Sequence, residues 1–443
     1  MNSKNHYIHL LKLGFPIFIG QLGLIIVAFA DNIMVGRYST EALASASFVN
    51  SVFNLANFGC MGFTYGITPI VAALFAQGKK TDIGGIMKNA LAINIFFTLA
   101  VSAILLLLYA NVGHLGQPEE LLPLIRPYFL IILATLIPNT VFSLFSQWSY
   151  AIGNSKMPMW IMLLSNVMNI AGNYMLIYGK FGAPEMGLIG AGISTLIARL
   201  VPLVIILVIF FHSRKYTEYA QGFANQALDS RQRTKIFKIS YPISLQMSME
   251  SGSFSMAGVM AGWIGAVALA SFQVIVIVGT LGFCIYYSFG SAIAALVGQA
   301  KGLNDNRQMR SIAAAGYHII LTLAAISSAI FVLYGAELIS AFTTDTAVIT
   351  TTLTLIVPLL LYQLGDATQI TFSGALRGTG NVMPMLWIAF VSYIVIGIPA
   401  SYLLAFTCNL GIYGLILSFC ASLFPAGAAF AYFFYKSLFH NKY

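Results

Sequence analysis

The stretch that decides the fold is ISYPISLQMSMESGSFSMAGVMAGWIGAVALASFQVIVIVGTLGFCIYYSFGSAIAALVGQA, residues 239–300. It holds one charged side chain, Glu250, between Lys238 and Lys301. A helix needs about 20 apolar residues to cross the hydrocarbon core of a bilayer, so this stretch is long enough for two crossings. In water it would expose a large apolar surface, and we therefore expect it to lie in lipid.

The rest of the 443-residue chain has the same character, with 59% hydrophobic and 8% charged residues. A soluble domain usually carries about 25% charged residues. The apolar runs are too continuous for β-barrel strands, which alternate over about ten residues. We predict an all-α polytopic membrane protein with twelve transmembrane helices, centred near residues 24, 62, 100, 138, 168, 200, 250, 280, 322, 360, 393 and 423.

The distribution of Lys and Arg predicts the orientation, because cytoplasmic loops collect these residues. With twelve spans and both ends on one side, eighteen of the 22 Lys and Arg fall on that side. Arg37, Arg126 and Lys180 fall on the other, and Arg199 lies within a span. We predict that both termini are cytoplasmic, and the short loops favour a bacterial cytoplasmic (inner) membrane. This asymmetry explains the net charge of +9 without a nucleic-acid partner.

The two halves of the chain resemble each other, which indicates an internal duplication. Five segment pairs recur in order: LKLGFPIF (11–18) with FKISYPIS (237–244), EALASASF (41–48) with VALASFQV (267–274), AALFAQGK (72–79) with AALVGQAK (294–301), GNSKMPM (153–159) with GNVMPM (380–385), and GLIGAGIS (187–194) with GIYGLILS (411–418).

Six spans in each half make both halves enter the membrane from the same side. Their pseudo-twofold axis should then run along the membrane normal, as in the parallel repeats of several secondary transporters. We predict a six-helix lobe at 1–211, a polar cytoplasmic linker at 212–236 and a second six-helix lobe at 237–443.

Three of the thirteen acidic residues, Asp31, Glu250 and Asp366, lie inside apolar spans. A carboxylate at mid-membrane is costly and is a candidate for function. Glu250 and Asp366 each belong to a polar stripe at helical spacing. The stripes consist of Gln246 and Ser253 around Glu250, and of Tyr362, Gln363, Gln369 and Ser373 around Asp366.

Asp31 has apolar neighbours on its own helix, so its partners must come from another helix. The fifth segment offers them, because Asn166, Asn169 and Asn173 stack on one face. Burial favours a protonated carboxyl group, and a bound cation favours the ionised one. Such groups can alternate between the two states, as ion-coupled transport requires. The other interpretation is that helix–helix hydrogen bonds hold the acids protonated.

These features together resemble the multidrug and toxic compound extrusion (MATE) family, specifically its NorM-type branch of multidrug efflux proteins. The resemblance covers nearly the whole chain. It is carried by Glu250 in the seventh span and by ADNIMVGRYSTEALASAS (30–47), AQGKK (76–80), YAIGNSKMPM (150–159), VGQAKG (297–302) and DATQITFSGALRGTGN (366–381).

The resemblance implies a cation-coupled antiporter with twelve helices in two lobes, which exports amphipathic, mainly cationic compounds by alternating access in exchange for Na⁺ or H⁺. Glu250 and Asp366 would form the cation site of the C-terminal lobe, with Na⁺ possible there, and Tyr362 would offer a ring face. Asp31, Asn169 and Asn173 would form the N-terminal site, although certain members carry an acid where Asn173 stands. The substrate cavity would include Gln246, Gln363, Gln369 and Ser253.

Other functions find less support in the sequence. It contains no G-x-x-x-x-G-K-[ST], G-x-S-x-G or H-E-x-x-H, so we predict neither an enzyme nor any cofactor besides the coupling ion. A lipid-linked saccharide flippase of the same superfamily would line its cleft with basic residues. A non-transporting scaffold would not need three acids at mid-span, and a passive channel would lack alternating access. We expect a monomer whose partners are small organic cations, drugs and membrane lipid.

Overall fold

The computed structural model describes residues 3–114, 116–340 and 342–439. Within these ranges the chain forms helices and connecting turns without any strand, which confirms the predicted all-α class. The two chain termini, which we predicted to be cytoplasmic, lie outside the described residues.

The first half of the chain forms eight helices and three short 3₁₀ turns. The helices are α1 (Ser3–Tyr38), α2 (Thr40–Thr64), α3 (Ile67–Ala76), α4 (Lys80–Ala110), α5 (Leu122–Ala151), α6 (Lys156–Tyr178), α7 (Gly187–His212) and α8 (Thr217–Asn225). The 3₁₀ turns are Val112–His114, Glu119–Leu121 and Arg214–Tyr216.

The second half repeats this pattern of long helices, with a π-helical interruption in its fifth span. Its helices are α9 (Ser230–Ile264), α10 (Ala266–Gly302), α11 (Asn306–Ser340), α12 (Thr346–Thr354), α13 (Ile356–Thr379), α14 (Met383–Ala389), α15 (Ile398–Tyr402) and α16 (Gly411–Phe439). The π-helical segments are Phe390–Gly397 and Leu403–Thr407.

The helices account for each predicted span. Among the described residues, ten segments are long and apolar enough to cross a membrane, and the pair α12 and α13, bent by 48°, gives an eleventh. The seventh predicted span corresponds to α9, which is not among these eleven segments. Its basic first turns and the polar residues around Glu250 lower its mean hydropathy. The chain is therefore a multi-pass membrane protein.

The described chain divides into two compact units. The N-terminal unit is Ile19–Ser244, and the C-terminal unit combines the chain up to Phe18 with the chain from Leu245 onward. These boundaries lie within α1 and α9, whereas the lobes predicted from the repeat begin at the start of the chain and at residue 237. The lobe boundaries stay a prediction, because they rest on the sequence repeat rather than on contacts.

Two glycines end helices at corresponding points of the repeated GN motif. Gly153 follows α5 with a φ of 81°, and Gly380 follows α13 with a φ of 74°. Glycine adopts this left-handed conformation without the steric penalty of a Cβ atom. A new helix then begins at Lys156 in one half and at Met383 in the other. The motif is thus a turn between successive spans in each half.

The segment that we predicted as a linker contains α8, which packs on α4 within the N-terminal unit. A Cβ atom at Gly222 would overlap the carbonyl oxygen of Thr81, and one at Gly84 would overlap that of Tyr219. The Lys88 ammonium donates to the carbonyl of Gln226, 2.8 Å away, just beyond the end of α8. The two helices therefore approach at backbone distance.

Aromatic rings anchor the same segment from the other side. Tyr216 and Tyr219 are buried, and their ring centroids lie 5.0 and 5.6 Å from that of Trp148 on α5. Burial raises the pKa of the Tyr219 hydroxyl to about 12. Residues 214–225 are thus a docked part of the N-terminal unit.

In the C-terminal unit, α13 is held closely from two sides, and this positions the residues around Asp366. A Cβ atom at Gly374 would lie 2.5 Å from the carbonyl oxygen of Gly290 on α10. A Cβ atom at Gly427 on α16 would lie 3.2 Å from the backbone nitrogen of Gln369. This part of α13 therefore has little freedom to shift relative to α10 and α16, and the positions of its side chains are fixed accordingly.

We expect the Gly222→Ala substitution to destabilise the protein by about 1–3 kcal/mol, as is typical of overpacking. The added methyl group meets the backbone of α4, which cannot move aside as a flexible side chain could. The measurement is the melting temperature of the detergent-solubilised protein, followed by loss of its monodisperse size-exclusion peak. Gly262→Ala is the control, because a Cβ atom there would make only an ordinary contact of 3.9 Å. Equal melting temperatures for the two variants would contradict the close packing of α8 on α4.

Candidate functional site

The polar cluster of the C-terminal unit is built from α9, α10, α11, α13 and the first π-helical segment. Glu250 lies on α9, one turn after Gln246, whose amide nitrogen donates to its Oε2 atom at 2.8 Å. The side chains of Gln369 and Tyr393, which hydrogen-bond to each other, lie close to this carboxyl group. Glu250 keeps part of its surface accessible, so its amide partners do not enclose it.

Asp366 lies on α13 and is buried, with 2% of its surface exposed. Its Oδ2 atom has no hydrogen-bond partner among the described residues. Among the described residues, Glu250 is the charged group that acts on it. Two carboxylates that share a site resist being ionised together unless a cation or proton joins them. The pair therefore provides an acceptor for a positive charge that the described protein does not supply.

Gln363, one turn before Asp366, is fixed by three hydroxyl groups. Its Oε1 atom accepts hydrogen bonds from Tyr286 at 3.2 Å, Ser327 at 3.0 Å and Ser328 at 3.1 Å. Hydroxyl groups of three residues thus surround this end of the amide and hold it in place. Its Nε2 atom is buried and has no partner in the described chain.

Apolar rings surround one side of the cluster. The Tyr362 ring is buried, and its centroid lies 6.1 Å from that of Phe254 and 5.9 Å from that of Phe419. Its hydroxyl is close enough to the carboxyl groups of Asp366 and Glu250 to interact with them electrostatically. Ser253 is buried beside Gly397, where a Cβ atom would lie 3.5 Å from its hydroxyl oxygen. The structure thus gathers five of the six residues of the α9 and α13 stripes: Gln246, Ser253, Tyr362, Gln363 and Gln369. The sixth, Ser373, donates to the backbone carbonyl of Ile370 on its own helix.

Four residues of this cluster were missed by the sequence analysis: Tyr286, Ser327, Ser328 and Tyr393. The first three lie on α10 and α11, so no spacing along α9 or α13 points to them. The pair Ser327–Ser328 within the apolar run AAISSAIF was the available signal. Tyr393 accepts a hydrogen bond of 2.9 Å from the Gln369 amide, but it lies on a π-helical segment. A change of helical period there defeats any extrapolation at 3.6 residues per turn.

The N-terminal unit holds a second, smaller cluster around Asp31 on α1. The Nδ2 atom of Asn173 on α6 donates to the Asp31 carboxylate and also, at 3.3 Å, to the Oδ1 atom of Asn169. Asn173 is fully buried, and its own Oδ1 atom has no partner among the described residues. The structure therefore brings together the three residues that we predicted for this site. It leaves carboxylate and amide oxygens there as acceptors.

Helix α7 completes this second cluster. The side-chain amide of Asn169 donates to the Thr195 hydroxyl at 3.4 Å. The Ser194 hydroxyl donates to the backbone carbonyl of Asn169 at 2.9 Å. Arg199, one turn further along α7, interacts electrostatically with Asp31. It is not at ion-pair distance, because the one ion pair within the described residues joins Lys80 and Glu218. The sequence analysis had not connected α7 with Asp31.

Neither cluster resembles a site for a transition metal. Among the described residues, no three or more His, Cys, Asp or Glu side chains are placed to hold a metal ion. The acceptor groups present are carboxylates, amide carbonyls and hydroxyls. Such oxygen donors suit a proton or a hard cation.

Comparisons with known proteins agree with this architecture. A probable multidrug resistance protein NorM of Photorhabdus laumondii is 28% identical over 403 residues, covering 90% of this chain and 87% of that protein. A protein of the same description from Bacillus subtilis is 27% identical over 436 residues, covering 98% and 96%. The crystal structure of the Vibrio cholerae MATE transporter VcmN, 18% identical, superposes with a TM-score of 0.88 over 99% of this chain and 98% of that one, which shows a common fold.

The model of the MatE family matches the chain twice, over residues 16–175 and 242–403. The two matches begin 226 residues apart, which is the offset between LKLGFPIF and FKISYPIS in the sequence repeat. Together they cover most of the chain. This protein is therefore a member of the MatE family, the multidrug and toxic compound extrusion family of membrane transporters.

Proposed function

We propose that this protein is a cation-coupled multidrug antiporter that exports amphipathic, mainly cationic organic compounds. Na⁺ or H⁺ would move inward in exchange, by alternating access. The observation that carries this proposal is the buried Asp366 carboxyl group, which has an unpartnered oxygen beside Glu250. A carboxyl group so placed inside a membrane protein needs a positive charge, and a transported cation would supply it.

The coupling follows from competition for that negative charge. A drug cation and the coupling cation both neutralise Glu250 and Asp366, so the binding of one disfavours the binding of the other. In the proposed cycle, Na⁺ or H⁺ enters from outside, neutralises the pair and releases the drug outward. The cation-loaded protein then opens inward and discharges its cation to the cytoplasm.

Neutral groups around the pair would serve both ligands. The oxygen atoms of Gln369 and Tyr393 could complete the shell of a Na⁺ ion held by the carboxylates. The Tyr362 ring, which lies beside the contacting rings of Phe254 and Phe419, would offer a cation its π face. Gln246 and Ser253 would line the path of the organic substrate from α9.

The Asp31 cluster would form a second cation site, in the N-terminal unit. Its support is the free carbonyl oxygen of Asn173 next to the Asp31 carboxylate. Arg199 places a fixed positive charge near this site, and the C-terminal pair has no comparable base. We therefore assign the main coupling role to Glu250 and Asp366.

The names of the relatives support the wider setting of this proposal. Several bacterial relatives are called multidrug resistance proteins, which fits drug export across a bacterial cytoplasmic membrane. We further propose cytoplasmic termini, a monomeric transporter, and two lobes at 1–211 and 237–443 joined by residues 212–236.

The test is ethidium efflux from proteoliposomes that carry the purified protein, driven first by a Na⁺ gradient and then by a proton gradient. We expect Glu250→Gln and Asp366→Asn each to lower the initial rate at least about ten-fold, since each removes a charge that the cation must neutralise. The gradient that drives wild-type efflux identifies the coupling ion.

Glu337→Gln is the matched control, because Glu337 is an exposed acid on α11 of the same unit. It should export at the wild-type rate. Full gradient-driven export by Glu250→Gln would refute the proposed mechanism. Absence of efflux by the wild type under both gradients would refute the antiporter itself.

A second prediction concerns the support of the site. Gln363→Leu removes an acceptor that three hydroxyl groups share, and a donor left without a partner in the protein interior costs about 1–3 kcal/mol. We expect a lower melting temperature than for Tyr286→Phe, which removes one donor only. The double variant should be less destabilised than the sum of the two, because both substitutions remove the same hydrogen bond. Additive losses would show that the 3.2 Å contact contributes nothing.

A further inference from the structure

An open groove of about 880 Å³ runs between α1 and α6 on the surface of the N-terminal unit. Aliphatic and aromatic side chains line most of it, and two basic residues, Arg37 and Lys180, lie at one end. The Tyr178 hydroxyl donates to the backbone carbonyl of Met34 at 2.7 Å, which holds the two walls together. Ligand sites usually enclose about 300–1,000 Å³, so the groove is large enough for part of a lipid molecule.

The basic end of the groove lies where both helices end. Arg37 is in the last turn of α1, and Lys180 follows the end of α6. Tyrosine rings cluster at this end, because the Tyr178 centroid lies 6.5 Å from that of Tyr38 and 6.0 Å from that of Tyr174. In membrane proteins, tyrosine is enriched at the level of the lipid headgroups. The two bases therefore lie at the depth of the lipid phosphate groups.

The rest of the groove is apolar over the depth of about one leaflet. Its α6 wall extends from Tyr178 back to Val167, which is roughly 16 Å at 1.5 Å per residue. The hydrocarbon core of a bilayer is about 30 Å thick, so each leaflet contributes about half of that. Val167 is 65% exposed and Ile33 on α1 is 53% exposed, so both walls are open to the surrounding lipid. An acyl chain that descends from a phosphate group at the basic end would contact apolar side chains over this depth.

Neither base is neutralised by the described part of the protein. Within those residues, no carboxylate lies within 4.0 Å of the side-chain nitrogen atoms of Arg37 or Lys180. The neighbouring acid, Glu185, lies beside the Tyr38 hydroxyl instead. None of the described residues that line the groove is acidic. Two uncompensated bases at headgroup depth match a negatively charged headgroup.

Membrane topology does not account for these two bases. Cytoplasmic loops collect Lys and Arg, yet Arg37 and Lys180 are two of the three bases that we place on the opposite side. The third, Arg126, does not line the groove. The joint position of the other two at one end of an apolar groove therefore points to a ligand rather than to an orientation signal.

We propose that the groove binds an anionic phospholipid of the leaflet that faces away from the cytoplasm. Its phosphate group would lie between Arg37 and Lys180, and one acyl chain would lie along the apolar walls. The guanidinium can hold a phosphate in bidentate fashion, and the ammonium adds a point charge. A zwitterionic phospholipid carries the same phosphate, but the two bases would repel its ammonium group. This inference is independent of the proposed export function, because it concerns a lipid-facing surface rather than the cation sites.

The test is photo-crosslinking of the full-length protein in vesicles of equal amounts of phosphatidylglycerol and phosphatidylethanolamine. A benzoylphenylalanine that replaces Val167, at the apolar end of the groove, is irradiated, and its lipid adducts are identified by mass spectrometry. We expect phosphatidylglycerol adducts to exceed phosphatidylethanolamine adducts at least about five-fold, since one base near an anionic headgroup contributes roughly that factor. The same residue in place of Ile33, on the opposite wall, should show the same preference.

Ile197 is the matched control position, because it is 43% exposed on α7 of the same unit and lies about as far from the start of α7 as Val167 lies from the end of α6. A crosslinker there should give the two adducts in equal amounts. With the crosslinker at position 167, the double substitution Arg37→Gln and Lys180→Gln should also bring the ratio to about one. Arg126→Gln, which removes an exposed base away from the groove, should leave the preference unchanged.

Three results would overturn the inference. The first is equal yields of the two adducts at position 167 with both bases present. The second is a preference for phosphatidylglycerol that survives the loss of both bases. The third is the absence of any lipid adduct at positions 167 and 33 while position 197 forms them, because another protein surface would then cover the groove.

Discussion

The structure depends on one constraint: a carboxyl group inside a bilayer must have its charge neutralised or its oxygens hydrogen-bonded. Three acids in this chain face that constraint, and none of them is paired with a base at ion-pair distance in the described residues. Two of them have amide partners instead, Gln246 for Glu250 and Asn173 for Asp31, and the Oδ2 atom of Asp366 has no partner among the described residues. An amide stabilises a carboxylate without cancelling its charge, and so it leaves the charge available to a cation. A permanent salt bridge would have removed that capacity.

The two duplicated halves meet the constraint differently. The C-terminal unit places two acids together without a base, whereas the N-terminal unit combines Asp31 with the more distant Arg199. The first arrangement has surplus negative charge. The second balances its acid with a base over a longer distance. Divergence of a few mid-span residues after duplication therefore gives the two units different charge patterns.

Much of the fold could be predicted because a helix that crosses the bilayer needs a long run of apolar residues. Long apolar runs reveal the spans, and the polar stripes on α9 and α13 could be predicted because those segments are regular helices. The Asp31–Asn173 contact followed from exclusion, since the helix of Asp31 offered it no polar neighbour. Contacts between helices were less accessible. Nothing in the spacing of α10 and α11 links Tyr286, Ser327 or Ser328 to Gln363.

Local irregularity hid the remaining features. The π-helical turns around Tyr393 shift its side chain relative to a regular helix, so its place beside Gln369 could not be extrapolated. Residues 212–236 are polar enough to suggest a solvated linker, yet α8 docks on α4. That docking depends on Gly84 and Gly222, whose role is visible only when the two backbones are seen in contact.

The orientation of Gln363 leaves two polar groups of the proposed cation site without hydrogen-bond partners in the described chain. Three hydroxyl donors hold the carbonyl oxygen of this amide, and its N–H groups have no acceptor in the described chain. One turn away, the Oδ2 atom of Asp366 has no donor. A direct hydrogen bond between them would satisfy both groups and, under the proposed function, would compete with an incoming cation. Because the hydroxyl groups hold the amide in place, the carboxyl oxygen stays unpaired, as the proposed cation site requires.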